Sequence, residues 1–94
     1  MLVRGNPLRN LLIRFIWDPG INARDYSIVF RSRGAEGGVE VVKASNIVKV
    51  YLRGFEVRTE LGVKYIPFHR VLLVRNEATG ELLYRSRSAL PHSD

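Results

Sequence analysis

The spacing of apolar residues changes once along this chain. Leu8, Leu11, Leu12, Phe15 and Ile16 recur at i, i+3, i+4, i+7 and i+8, the stripe of an amphipathic helix. Asn6 stands ahead of it as an N-cap, and Pro7 suits the first helical position, where its missing N–H costs nothing. Arg9 and Arg14 fall off the stripe. The helix has to stop at Asp18-Pro19-Gly20, because the residue before a proline is pushed out of the helical region.

From Tyr26 onward the language is that of strands. "YSIVFRSR" (residues 26–33) is β-branched and aromatic, "GAEGG" supplies turn chemistry, and "VEVVK" is a second short strand. "NIVKVYLR" has the cleanest alternation, with Val48, Val50 and Leu52 pointing one way and Lys49, Tyr51 and Arg53 the other. "FEVRTE" repeats it, with Phe55 and Val57 against Glu56 and Arg58. "LGVKYIPFHRVLLVRN" gives a short edge strand, a proline break and a central strand, and "EATGELLYRSR" closes a hairpin on that strand through Gly80. The pattern predicts an α+β domain, one N-terminal helix packed on a curled, mostly antiparallel sheet of five to six strands. A single domain is expected over residues 1–94, with its core in about 7–87 and a frayed polar tail over 88–94.

Composition narrows the partners. Fifteen Lys and Arg against nine Asp and Glu leave a net charge of +6, and twelve of the fifteen are arginine. Arginine's planar fork suits phosphate and stacks on bases, so an anionic partner is expected, nucleic acid first. GC-rich coding or adaptation to heat is the competing origin of so much arginine. The absence of cysteine removes disulfides and thiolate metal sites together. No apolar run is long enough to span a membrane, and "MLVRGNPLRN" does not read as a secretory signal, so a cytoplasmic protein is expected.

Enzyme signatures are missing. There is no phosphate loop ending in Lys-Ser/Thr, no nucleophile elbow, and no cluster of metal ligands, since His69 stands alone and His92 lies in the tail. No catalytic residue, metal or cofactor is therefore assigned. Lys49, Tyr51 and Arg53 on one strand face form either a stacking platform between two cations or an ordinary solvated face. Arg31 and Arg33 share a face beside the "GAEGG" turn, whose amides can cradle an anion. In "IPFHRVLLV", a regular strand sends His69 and Arg70 to opposite faces, unless Pro67 bends the strand start. Its middle, apolar on both faces, reads as a strand covered on both sides.

Several of these motifs occur together in an order that resembles a known family. "WD" at the helix end, Tyr26 followed by "IVFRSR", "IPFHRV" and a closing strand with an aromatic residue run across residues 8 to 87. The chain resembles a small archaeal family of uncharacterised proteins, related to a domain proposed to recognise RNA ends carrying a 2′,3′-cyclic phosphate. The most specific element is Ile66-Pro67 with His69-Arg70. The resemblance implies a phosphate-facing group of His69, Arg70 and Arg33, with Trp17 and Asp18, and Tyr84 in the last strand, in stacking or supporting roles. Trp17 reads otherwise as core packing at the helix end, and Asp18 as the residue that orders the Asp18-Pro19-Gly20 corner. Some relatives have an acidic residue before the arginine matching Arg33, where this chain has Ser32.

Three functions compete on this reading. The first is a non-catalytic RNA-binding domain for ends bearing a cyclic or terminal phosphate. The second is an RNA-end phosphodiesterase, or an accessory subunit of an RNA-processing enzyme, using His69 as acid or base. The third is a basic module that docks a protein partner. The sequence leaves the oligomeric state open.

Overall fold

A computed structural model describes residues 6–86. The frayed tail expected over 88–94 lies outside the described residues. Helix α1 (Pro7–Trp17) starts as its sequence dictates, with the Asn6 side-chain oxygen accepting from the Leu8 and Arg9 amides at 2.9 and 3.2 Å. Leu8, Leu11, Leu12 and Phe15 are buried, but the stripe ends there. Ile16 is 38% exposed and Trp17 76%, so the last turn runs out into solvent.

Among the described residues seven strands follow: β1 (Tyr26–Arg31), β2 (Val39–Lys43), β3 (Ile47–Val50), β4 (Gly54–Thr59), β5 (Gly62–Pro67), β6 (Val71–Asn76) and β7 (Leu82–Arg85). Every pairing is antiparallel. The class is α+β, as expected, with the strands divided between two sheets. One has the order β2-β1-β6-β7 and the other β3-β4-β5. The chain changes sheet twice, each time through a 3-10 turn: Ala44–Asn46 between β2 and β3, and Phe68–Arg70 between β5 and β6. Leu8 and Leu12 of the helix, Ile28, Phe30, Val71 and Val74 of the larger sheet, and Phe55, Val57 and Ile66 of the smaller one share a single core. Neither sheet could bury its apolar face alone.

Bulges account for two departures from strict alternation. In β6, Val29 pairs with Leu73 and Phe30 with Val71, so Leu72 is an extra residue. Val71 and Val74 therefore both reach the core at a spacing of three, while Leu72 and Leu73 are half-buried. The four apolar residues reflect this bulge rather than a strand covered on both sides. In β3, the register shifts between Ile47 and Lys49, which turns Ile47 and Val50 inward and leaves Val48 exposed. The strand ends at Val50, and the Tyr51 amide donates to the Gly54 carbonyl at 2.7 Å across a turn. Leu52 is 73% exposed at its tip. The expected strand face of Lys49, Tyr51 and Arg53 is thus divided between a strand end and a turn.

Candidate nucleic-acid interface

The segment from Tyr65 to Val74 is the end of one strand, a turn between sheets, and the next strand. Pro67, at φ −64°, closes β5 against Gly54. Phe68 is buried, its ring stacked 6.1 Å from Phe55, and its amide donates to the Arg53 carbonyl at 3.0 Å. The Val71 amide then returns to the Phe68 carbonyl, and Val71 enters the core. With Phe68 and Val71 anchored, His69 and Arg70 are carried outward on the turn, both exposed. A 3-10 turn has three residues per turn, so neighbours are not sent to opposite faces as in a strand.

Both side chains open onto one concavity of about 630 Å³, lined by Arg31, Ser32, Arg33, Gly38, His69 and Arg70. Its other wall is built by the β1–β2 connection. The Ser32 amide donates to the Gly38 carbonyl at 2.9 Å, and Gly37 and Gly38 both sit at φ +78°, a conformation that glycine alone adopts without strain. That tight return keeps Arg31 and Arg33 beside the turn from the other sheet. Among the described residues, three guanidiniums and an imidazole line the site, and no carboxylate does. The side chains of Arg33, His69 and Arg70 make no hydrogen bond or ion pair with any described residue.

A carboxylate nevertheless lies behind the wall. Ser32 is buried and its hydroxyl donates to Glu40 of β2, whose Oε2 is also 3.3 Å from Lys64 Nζ. The Ser32 hydrogen bond, aided by Lys64 and opposed by desolvation, holds the Glu40 carboxyl below its usual range. Ser32 thus presents a hydroxyl bonded to an acid from the neighbouring strand. The signal for Glu40 was in the alternation of β2, which pairs it with Phe30 and places it on the inward face.

The other expected residues lie elsewhere. Tyr51 donates its hydroxyl to Glu56 at 2.9 Å, which raises its pKa, and Lys49 Nζ lies 5.2 Å from its ring. Arg9 Nε donates to the Tyr51 carbonyl at 3.0 Å. Neither these residues nor Arg53 line the concavity. Phe15 packs 4.9 Å from Tyr26 at the start of β1, whereas Arg31 and Arg33 are at its far end, roughly 17 Å along a six-residue strand. Trp17 and Asp18 belong to that remote end. Asp18 accepts from the Gly20 amide at 2.9 Å and lies 3.8 Å from Arg14, so it orders the corner of the chain. Trp17 is exposed rather than packed in the core. Tyr84 pairs with Val74 and is half-buried against the core.

A larger concavity, about 890 Å³, lies between β2 and the β4–β5 hairpin. Glu40 and Glu60 there nearly balance Lys43, Arg58 and Lys64, so it lacks the one-signed field that selects an anion. The smaller site has that field. Among the described residues no group of three His, Cys, Asp or Glu is placed to hold a metal, and no helix is long and apolar enough to cross a membrane.

The MJ1316 RNA cyclic group end recognition domain matches this chain over residues 6–85. The chain belongs to that family. Its relatives in the family include a UPF0248 protein of Methanococcus maripaludis, 38% identical over 80 residues, which span 85% of this chain and 99% of the relative. A UPF0248 protein of Methanocaldococcus jannaschii is 36% identical over 81 residues, 85% of this chain and 94% of its own length. One from Pyrobaculum calidifontis is 46% identical over 56 residues, 60% of this chain and 71% of the relative. No solved structure matches.

Proposed function

We propose that this family member is a non-catalytic RNA-binding domain that recognises RNA ends bearing a phosphate, the 2′,3′-cyclic phosphate foremost. The observation that carries the reading is the concavity lined by Arg31, Arg33, Arg70 and His69, with no carboxylate among the described residues. The family's description, an RNA cyclic group end recognition domain, supports the choice of ligand. A cyclic phosphodiester has one negative charge, two non-bridging oxygens, and no 2′-hydroxyl left to donate. Guanidinium forks supply donors alone and the imidazole N–H adds one more, which matches an end that only accepts. A 3′-hydroxyl end offers neither the charge nor the paired oxygens. Among the described residues no Phe, Tyr or Trp lines the site, so the reading favours end chemistry over base identity. An RNA partner makes the cytoplasm the expected location.

Binding without cleavage follows from the same lining. Opening a cyclic phosphate by acid–base catalysis calls for one group to activate water and another to protonate the leaving oxygen. Among the described residues His69 is the one imidazole in the lining, and no carboxylate or lysine stands beside it as a second acid or base. The test compares fluorescent RNAs of one sequence ending in a 2′,3′-cyclic phosphate or a 3′-hydroxyl. Arg70→Ala should weaken the cyclic end about 10- to 100-fold, the worth of a charge-assisted hydrogen bond, and the hydroxyl end by less than threefold. Equal loss on both ends would reduce the site to general electrostatics. Conversion of the cyclic end to a monophosphate by the pure protein would replace binding with phosphodiesterase chemistry.

A further inference from the structure

Beyond the terminal phosphate, we infer that the outer face of the four-stranded sheet is the track for the single-stranded RNA leading to it. This rests on the end-binding reading above and extends it to the nucleotides on the 5′ side. Strand register defines three rows on that face. Arg31 pairs with Val39 nearest the concavity. The next row crosses all four strands as Val41, Val29, Leu73 and Arg85, and the last as Lys43, Ser27, Arg75 and Leu82. The opposite face carries Ile28, Phe30, Val71 and Val74 into the core, so these rows point away from it.

Two features make this face a platform for a polyanion. Its middle is apolar and accessible, with Val41 56% exposed and Val29 and Leu73 half-buried. Four cations, Arg31, Lys43, Arg75 and Arg85, surround that middle. At the far edge Glu77 accepts from Ser27, which is buried there, and pairs with Arg75 at 3.3 Å. Arg31 belongs to both, as the first row of the face and as lining of the concavity, so the two surfaces are continuous.

The dimensions suit one strand of RNA. Four strands give a surface roughly 14 Å wide, and three rows extend it by roughly 13 Å. Phosphates meet the flanking cations while riboses and base faces lie on Val41, Val29 and Leu73. Apolar contact of this kind tolerates any sequence, in keeping with recognition of an end rather than a motif. An acidic protein would satisfy the cations but gains nothing from continuity with a phosphate site.

The experiment measures affinity for RNAs with the same cyclic end, two or eight nucleotides long. The eight-mer should bind about tenfold more tightly, and annealing a complement up to its last nucleotide should abolish that gain. Arg85→Glu should remove the gain while leaving dinucleotide affinity within twofold, and Lys43→Glu should act likewise. Arg58→Glu, an equal charge change on the smaller sheet, should alter neither by more than twofold. Arg85 and Lys43 are exposed, and an unchanged melting temperature confirms that these variants fold. Equal affinity for both lengths, or equal losses from Arg85→Glu and Arg58→Glu, would overturn the track. Failure of the end site reads out separately, as a dinucleotide insensitive to Arg70→Ala.

Discussion

Replacing Gly54 with alanine probes how the two sheets hold the His69-Arg70 turn in place. Gly54 opens β4, pairs with Pro67 and is buried. Its conformation is one that any residue adopts, so the constraint is space. A Cβ at this position would lie 2.6 Å from the Ile66 carbonyl oxygen and 2.5 Å from Cζ of Tyr65. Comfortable contacts between such atoms begin near about 3.5 Å, so the strand pair must part by about 1 Å. The Tyr65 ring can swing aside, but the backbone carbonyl belongs to the ladder. Overpacking of this kind costs about 1–3 kcal/mol. Taking about 2 kcal/mol, a domain of this size should melt about 8–16 °C lower. The displaced pair leads directly into Pro67 and Phe68, so the affinity for phosphate-ended RNA should fall even where the variant remains folded. Melting followed by far-ultraviolet circular dichroism makes the measurement. Gly34→Ala serves as the control, since nothing lies within 4 Å of a Cβ there. A Gly54→Ala protein melting within about 2 °C of the parent would refute the steric reasoning.

Two further outcomes follow from the same structure. Because Glu40 is held below its reference pKa of 4.5, the folded state binds fewer protons than the unfolded one in acid. Its contribution is complete above that reference and is lost as pH falls through the lower folded value. Ser32→Ala should flatten the acid side of the stability profile, and urea titrations giving the same acid slope for both proteins would contradict this. Trp17→Ala should change stability by less than about 0.5 kcal/mol, as expected of a largely exposed side chain, whereas Phe30→Ala should cost about 3–5 kcal/mol. Similar losses in denaturant unfolding would mean that Trp17 is covered in solution.

The helix was legible because each local signal agreed: cap, proline and stripe all specify α1. Strand positions were legible for the same reason, and β2 runs over the residues its sequence marks, Val39–Lys43. Their division into two sheets was not, because period-two patterning gives a strand an inside without saying which sheet shares it. Bulges were hidden for a related reason. Ile47 and Val50, or Val71 and Val74, can share a face only after an extra residue breaks the alternation, and the partner strand determines where that happens. At the candidate site, "IPFHR" was legible as a proline-broken segment with a His-Arg pair. Whether a bend would unite the two side chains depended on the change of sheet, with Phe68 and Val71 both anchored in the core. Glu40 escaped notice because eight residues separate it from Ser32 and only strand pairing brings them together.

The turn Phe68–Arg70 is also where the chain leaves one sheet for the other, and this gives the concavity an unusual dependence. Arg31 and Arg33 ride on the end of β1 and the turn after it, while His69 and Arg70 hang from the seam tied to the β3–β4 turn through the Arg53 carbonyl. The width of the site is therefore a reading of the angle between the sheets. A phosphate gripped from both sides would act as a clasp across that seam. Its presence should slow hydrogen exchange at amides of the small sheet that lie well away from the ligand.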